Sequence, residues 1–384
     1  MPKDGIYRRT LQLVLFALLC AFTLTTGDGG PIAPFILSGC ILLLSAVFFL
    51  RPPVQKLHFP LPVILLFAMT LYGIVQTLFF PQKIVYNGWT GVLFWFTAAV
   101  ITCLAAQLFR SGPEAGRFRF LFIVFGTLVC LLDLLQQASH TTKYFWLFPS
   151  RYDIISGPFA YWNNFAQFVE ILLPVTLWKG LTARPGLPYL LCAALQIGAV
   201  VASGSRAGTA LVILELLVLI AFAYARQRSK ALLVSASIAI GLSVVFIYAA
   251  GFETLIAKLQ QNDQLTVRRN IDRSSLAMIR TRPLTGWGLE TYVPVYRMFA
   301  RYDDGTYVNR AHNDWLEWAA DGGIFFAAAM LAVFFWSVRP AIRSTWGLGL
   351  IAVCLHALVD YPFARFGVCG WYFCLLGMLA SRRS

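Results

Sequence analysis

A cluster of residues suited to proton transfer lies at residues 310–323, where a long polar segment meets an apolar one. His312 is its centre, because an imidazole exchanges a proton near neutral pH. Amide and carboxylate groups follow at Asn313, Asp314 and Glu317, and many arginines precede it. The pattern predicts a general base, or a group that orients a reacting hydroxyl. The alternative is a histidine that ties the loop to the following helix by a hydrogen bond.

Further polar groups stand at the ends of apolar segments. Arg206 follows a serine between two apolar spans, where an ionised group is costly unless it is paired or functional. A side chain that snorkels to the interface is the alternative. Asn163 and Asn164 open an apolar helix, either as caps or as donors into a polar cavity. Asp360 could orient an arginine, with Arg365 beside it as one candidate partner.

The composition is that of a membrane protein. Of 384 residues, 59% are hydrophobic and 12% are charged, and the mean hydropathy is +0.70, whereas a soluble domain carries about 25% charged residues. The net charge of +14 would indicate a nucleic-acid partner in a soluble protein. Here the basic residues are sorted by membrane side, so we expect no nucleic-acid partner. The eight cysteines have no metal-type spacing, and we expect neither a metal nor another cofactor.

Apolar runs of about 20 residues predict membrane-spanning helices. The sequence predicts an all-α polytopic protein with about twelve of them. Residues 1–251 would hold helices 1–9, residues 252–313 a large loop with short helices, and residues 314–384 helices 10–12. The predicted spans are 10–26, 32–50, 61–80, 89–109, 118–136, 161–178, 187–203, 207–225, 231–251, 314–337, 345–360 and 364–380.

The distribution of lysine and arginine predicts the orientation. The segments on the side of the N-terminus hold 17 of the 31 basic residues. Because cytoplasmic loops carry the excess of basic residues, both termini are predicted to be cytoplasmic and the loop 252–313 to lie outside.

That loop is itself rich in arginine. It holds nine basic groups against six acidic ones, and eight of the nine are arginines. The basic residues are Lys258, Arg268, Arg269, Arg273, Arg280, Arg282, Arg297, Arg301 and Arg310, and the acidic ones are Glu253, Asp263, Asp272, Glu290, Asp303 and Asp304. Since a guanidinium bonds phosphate oxygens in pairs, the loop predicts an anionic, phosphate-bearing substrate. Arginines that contact membrane lipid headgroups are the alternative.

Within the loop, Thr266–Arg282 can form an amphipathic helix. Its apolar side is predicted to carry Ile271, Leu276 and Ile279. The basic positions at helical spacing are Arg269, Arg273 and Arg280. Such a helix could lie in the membrane interface and present cations to a lipid-linked anion.

Four blocks in the same order resemble the bacterial O-antigen ligase and O-antigen polymerase superfamily over about residues 150–340. They are Gly157–Pro174 with its Asn-Asn pair, Ser205–Gly208, Arg268–Gly286 and Ala311–Gly323. Asp272 differs from the family, which often has an aromatic residue four positions after the first loop arginine.

The resemblance implies a metal-independent, inverting glycosyltransferase with a GT-C-like membrane fold in the bacterial inner membrane. An O-antigen ligase would move a glycan from undecaprenyl diphosphate to lipid A-core on the periplasmic face. The alternatives are a polymerase that joins lipid-linked repeat units, a protein O-oligosaccharyltransferase, and a transporter of the lipid-linked glycan. No internal repeat of the transporter type is visible in the sequence.

By position, the resemblance implies that Arg206 and Arg268 bind the diphosphate, with Arg269 or Arg280 assisting. It implies that His312 takes a proton from the acceptor hydroxyl or orients it. The remaining candidate contacts to the diphosphate or glycan are Asn163, Asn164, Asn313 and Glu317.

Overall fold

The computed structural model describes most of the chain. The described ranges are 3–27, 30, 32–54, 56–80, 84–110, 112–150, 155–260, 264–300 and 307–381. Four charged residues of the predicted loop, Asp263, Arg301, Asp303 and Asp304, lie outside them.

The described residues form fifteen α-helices, one short 3₁₀-helix and one small hairpin. The helices are α1 (Lys3–Leu24), α2 (Ile32–Leu50), α3 (Leu61–Phe79), α4 (Val85–Leu108), α5 (Gly112–Ala138), α6 (Trp162–Thr182), α7 (Leu187–Ala202), α8 (Arg206–Gln227), α9 (Lys230–Ala250), α10 (Glu253–Gln260), α11 (Gln264–Thr281), α12 (Tyr292–Phe299), α13 (Asp314–Ser344), α14 (Leu348–His356) and α15 (Phe366–Ala380). The 3₁₀-helix is Pro362–Ala364. Strands β1 (Lys143–Tyr144) and β2 (Phe148–Pro149) pair antiparallel.

Within the described ranges, eight helices are long and apolar enough to cross a membrane. They are α1 to α5, α8, α9 and α13. The protein is therefore an all-α polytopic membrane protein, as predicted. Each of the twelve predicted spans overlaps a helix, but α7, α14 and α15 have 16, 9 and 15 residues. The number twelve and the GT-C-like fold stay predictions.

The short helix α15 lies at the centre of the bundle. All of its residues are buried, and α1, α4 and α6 pack around it. At 1.5 Å per residue it is about 22 Å long, shorter than the hydrocarbon core of about 30 Å. The turn at residues 357–365 precedes this buried helix, and Asp360 in that turn is fully buried.

The segment that follows α11 is clamped to α13. Trp287 and Gly288 donate their backbone N–H groups to the carbonyl oxygens of Ala320 and Asp321, at 3.0 and 2.9 Å. The side-chain amide of Gln76, from α3, also donates to the Asp321 carbonyl at 2.7 Å. The clamp fixes the arginine-rich segment against the helix that begins beside His312.

A kink in α13 makes room for this clamp. Gly323 has φ 72° and ψ −174°, a conformation that side-chain-bearing residues rarely adopt. A Cβ atom there would lie 2.1 Å from the carbonyl oxygen of Leu284. Glycine is required at this position for both reasons.

We expect Gly323→Ala to lower the free energy of unfolding by at least about 2 kcal/mol, through backbone strain and the clash with the Leu284 carbonyl. The apparent melting temperature of the detergent-purified protein measures the effect. Gly241→Ala, in the exposed face of α9 with open space around it, should keep or raise that temperature. Equal melting temperatures for the two variants would contradict the prediction.

Helix α11 packs on the loop and α13 through a different face from the one predicted. The buried positions are Ile271, Ser274, Ser275 and Met278, at helical spacings of three and four residues, whereas Leu276 is 41% exposed. The placement of Leu276 on the apolar side was wrong, because a step of five residues from Ile271 turns the side chain about 140° away. Arg269, Arg273 and Arg280 are exposed.

Candidate active site

Asp360 lies in the turn after α14, and hydrogen bonds fix that turn against the start of α13. The Asp314 N–H donates to the carbonyl oxygens of Ala357 and Asp360, at 2.9 and 3.2 Å. In return, the Asp314 carboxylate accepts the backbone N–H of Phe363 at 2.9 Å. Two helix ends therefore hold the Asp360 side chain, which is only 1% exposed.

Side chains from three distant segments meet at this carboxylate. The His312 Nδ1 lies 3.4 Å from Oδ1, and the Arg268 Nη2 lies 3.9 Å from Oδ2. The Tyr161 hydroxyl donates to Oδ2 at 3.3 Å, and the Asn163 amide donates to the same oxygen. We call these five residues the Asp360 cluster.

The charge balance of the Asp360 cluster favours an ionised carboxylate. Burial alone would raise the pKa of Asp360, but His312, His356 and Arg268 hold this pKa below its usual value. Burial, with Asp360 nearby, raises the pKa of Tyr161 well above its usual value. The phenol therefore stays protonated and donates to a carboxylate that is charged at neutral pH.

The backbone at His312 is held in an unusual conformation by its neighbours. Its φ is 51°, in the left-handed region that costs energy for a residue with a side chain. The preceding Ala311 N–H donates to Glu317 at 2.8 Å. Arg310 bonds Glu317 at 2.6 Å and Glu290 at 3.0 Å. This network fixes the position of the imidazole.

The contact between His312 and Asp360 defines a plausible proton acceptor. Nδ1 is buried, and its distance of 3.4 Å from the carboxylate exceeds that of an ordinary hydrogen bond. Such contacts in a site without substrate often shorten when the substrate binds. A proton on Nδ1 faces the carboxylate and leaves the Nε2 lone pair available as a base.

A second group of cations adjoins the Asp360 cluster. Arg206, the first residue of α8, donates to the Lys258 carbonyl at 3.2 Å. The Lys258 ammonium lies 3.5 Å above the Trp162 ring. The Ser205 hydroxyl donates to the Asn163 side-chain oxygen at 2.7 Å. Asn163 therefore links the start of α8 to Asp360.

The structure brings some of the predicted site residues together and leaves others apart. Arg268, His312 and Asn163 touch Asp360 directly, and Arg206 is joined to them through Ser205. Asp360 was predicted to orient an arginine. Among the described ion pairs, that arginine is Arg268 and not Arg365.

The three predicted asparagines, Asn163, Asn164 and Asn313, make different contacts. α6 begins after Tyr161 without a side-chain cap, so capping does not explain Asn163. Asn164 donates to Gln167 at 2.8 Å. Asn313 caps α13 by accepting the Leu316 N–H at 3.2 Å.

The remaining predicted residues lie around the cluster. Glu317 pairs with Arg310 and so acts on the His312 backbone. Arg269 and Arg280 stay on the exposed face of α11, and none of the described contacts joins either to the Asp360 cluster. Of the three predicted arginines on α11, Arg268 is therefore the one that faces the Asp360 cluster.

Sequence reasoning missed Tyr161, Lys258 and Asp272 as site residues. Asp272 lies one helical turn after Arg268. Burial raises the pKa of Asp272, and the charges of Arg268 and His312 reduce that increase. The spacing of four on α11 was a signal for Asp272. Nothing in the sequence placed Lys258 against Trp162, since the two residues are 96 positions apart.

A buried ion pair supports the turn from below. The His356 Nδ1 lies 2.6 Å from the Glu170 carboxylate, and both side chains are fully buried. His356 is therefore a core residue with a buried partner. His356 is one turn before Asp360 and contributes to its low pKa.

No group of three or more His, Cys, Asp or Glu residues that could hold a metal ion occurs within the described ranges.

Comparison with known families agrees with this geometry. The sequence profile of the family described as O-Antigen ligase matches residues 191–331, a range that contains Arg206, Arg268 and His312. No curated protein matches the chain. The match confirms the resemblance to the O-antigen ligase and polymerase superfamily, and it supports an activity of the ligase or polymerase type. Asp360, Asn163 and Tyr161 lie outside the matched segment.

Proposed function

Starting from an O-antigen ligase family segment at residues 191–331, we propose that this protein transfers a glycan from undecaprenyl diphosphate to a sugar hydroxyl of lipid A-core. The reaction would take place on the periplasmic face of the inner membrane, with both termini cytoplasmic. The observation that carries the proposal is the convergence of His312 and Arg268 on the buried carboxylate of Asp360. A base and a phosphate-binding cation stand side by side there.

Arg268 and the neighbouring Arg206 would bind the diphosphate. Arg268 is 27% exposed in its side chain and sits at the long distance of 3.9 Å from Asp360, so its fork can still face a ligand. Negative charge on the diphosphate grows as the glycosidic bond breaks, so fixed guanidinium groups stabilise the transition state more than the ground state. Such cations can do this without a metal. The exposed Arg269 and Arg280 would extend the positive surface.

His312 would act on the acceptor. Its Nε2 takes the proton of the sugar hydroxyl while the hydroxyl oxygen attacks the anomeric carbon. The bond from that carbon to the diphosphate oxygen breaks, and undecaprenyl diphosphate leaves with the electron pair. Attack from the face opposite the leaving group inverts the anomeric configuration. Asp360 stabilises the imidazolium that forms, and Asn163 holds Asp360 in place.

Lys258 gives the proposed donor site a pH dependence. Burial, followed by the charge of Arg206, lowers the pKa of Lys258 to about 8. The ammonium therefore loses its charge as the pH rises from 7 to 9, and we expect the KM for the donor to rise over that interval. Lys258→Arg should abolish this rise, because the guanidinium stays charged. The KM for the donor at pH 7, 8 and 9 tests this, and parallel curves for the two proteins would contradict it.

The proposed reaction is tested with the purified full chain in detergent. The protein is incubated with an undecaprenyl-diphosphate glycan, with and without lipid A-core, and the products are separated by mass. Arg268→Ala should lower the transfer rate at least about a hundredfold. Arg273→Ala, on the exposed side of the same helix, is the matched control for Arg268→Ala. His58→Ala, at an exposed histidine in the 51–60 loop, is the matched control for a His312→Ala variant.

The products identify the reaction. Glycan on lipid A-core, lost in Arg268→Ala and kept in both controls, supports the ligase. Longer lipid-linked glycan without lipid A-core would assign the protein as a polymerase. Transfer to a protein hydroxyl would assign it as a protein O-oligosaccharyltransferase. Turnover of none of these acceptors, together with tight binding of the carrier, would point to transport of the lipid-linked glycan.

A further inference from the structure

A pocket lies at the end of the active-site helices that is opposite to the candidate active site. Its volume is about 480 Å³. Lys179, Arg226 and Arg343 stand in the last turns of α6, α8 and α13, whereas the active-site residues stand at the first turns of the same helices. α8 has 22 residues, so the two sites are about 30 Å apart.

The pocket gathers four cations and no described acidic residue. Arg119 of α5 joins Lys179, Arg226 and Arg343 in its lining. Cations at helix C-termini are favoured singly by the helix dipole. Three of the four stand at helix C-termini, whereas Arg119 lies near the start of α5. The dipole does not explain why four cations from four helices converge on one cavity, where they repel one another.

One of the four has a structural role that shapes the pocket. Arg226 donates to the carbonyl oxygen of Ile342 at 2.8 Å and to the Thr345 hydroxyl at 3.3 Å. It therefore fastens the end of α13 to α8. Its partners are neutral groups, so they leave the charge of the pocket unbalanced.

Aromatic rings lie against two of the other cations, Arg119 and Lys179. The Arg119 guanidinium lies 4.7 Å from the ring centre of Trp346. The Lys179 ammonium lies 5.2 Å from that of Tyr189 and 5.8 Å from that of Phe120. Ring faces attract cations by their quadrupole and add no charge. The pocket is thus a preorganised, positively charged cavity.

We infer that this pocket binds a phosphate group, carried either by an anionic phospholipid headgroup or by a soluble phosphate compound. Basic pockets between membrane helices bind anionic headgroups through this chemistry. Apolar side chains can contact the acyl chains of a lipid. Ile123 and Val175 line the pocket, and Phe120 beside it is 44% exposed. The inference does not depend on the proposed glycan transfer.

The inference is tested by equilibrium binding to the detergent-purified full chain. Mixed micelles contain radiolabelled phosphatidylglycerol or, as the neutral arm, phosphatidylcholine, and a separate arm uses labelled inorganic phosphate. The pocket variant is Lys179→Gln with Arg343→Gln. The control, Arg117→Gln with Arg339→Gln, removes the same charge from exposed arginines on α5 and α13 that do not line the pocket.

We expect the protein to bind phosphatidylglycerol and not phosphatidylcholine, with an affinity about thirtyfold lower in the pocket variant and little changed in the control. Binding of inorganic phosphate alone, with the same dependence on the variants, would support the phosphate site and assign a soluble ligand. Equal losses in the two double variants would overturn the inference in favour of general surface charge. Binding of neither phosphate source by the wild type would also overturn it. Melting temperatures without ligand show that both double variants are folded.

Discussion

A His312→Ala variant is expected to lower kcat for glycan transfer by about 10²–10⁴-fold, the usual contribution of a positioned general base. The KM for the lipid-linked donor should change little, because in the proposed mechanism Arg268 and Arg206 bind the diphosphate instead. Transfer rates at saturating donor and acceptor measure the effect. The separation of kcat from KM distinguishes a catalytic role from a general loss of structure.

The neighbours of His312 supply the controls for this prediction. Asp360→Asn keeps the size of the side chain but removes the charge that stabilises the imidazolium, so it should also lower kcat with little change in KM. A His312→Ala rate within threefold of wild type would rule out the base role. Asp272, whose carboxylate interacts with Arg268 and His312, would then be the next candidate for the base.

Asp360→Ala is expected to lower the free energy of unfolding by about 3 kcal/mol or more and to abolish transfer. The substitution removes the acceptor of the Asn163 and Tyr161 hydrogen bonds and the carboxylate that lies 3.9 Å from Arg268. Buried donors and charges that lose their partner are strongly destabilising. Unfolding in detergent, followed by tryptophan fluorescence, provides the measurement.

The pH dependence of this stabilisation has a definite sign. The pKa of Asp360 lies below its usual value in the folded protein, so the contribution is complete above the usual pKa of about 4. It is lost as the pH falls through the lower folded-state pKa. The stability difference between wild type and Asp360→Ala should therefore shrink as the pH falls below about 4. A difference that grows below this pH would contradict the role assigned to the carboxylate.

The candidate active site and the cationic pocket share the helices α6, α8 and α13. At one end these helices begin with Asn163, Arg206 and Asp314, and at the other they end with Lys179, Arg226 and Arg343. A ligand in the cationic pocket would hold together the ends of the helices whose starts carry the candidate active site. The Arg226 contact to α13 already joins two of these ends.

The sequence predicted the chemical content of the site better than its geometry. Arg206 was recognised because a charge between two apolar spans is costly unless it is paired or functional, and His312 because an imidazole exchanges a proton near neutral pH. Arg268 was singled out through the resemblance to the ligase and polymerase superfamily. Their residue types indicate the chemistry, since a guanidinium binds phosphate and an imidazole exchanges protons. The choice between Arg268 and Arg269 depended on which face of α11 turns inward, and Ser275 and Met278 decide that face by packing.

Hydropathy and the positions of proline, glycine and charge were sufficient to predict an all-α polytopic membrane protein and an arginine-rich segment between its spans. These are local properties, since each apolar run satisfies its own backbone within a helix. Only the tertiary structure decided that Asp360 is the meeting point of His312, Arg268 and Asn163, because those residues are up to 197 positions apart in the chain. Contacts at such separations arise from helix packing and from the kink at Gly323, and no local sequence pattern specifies them.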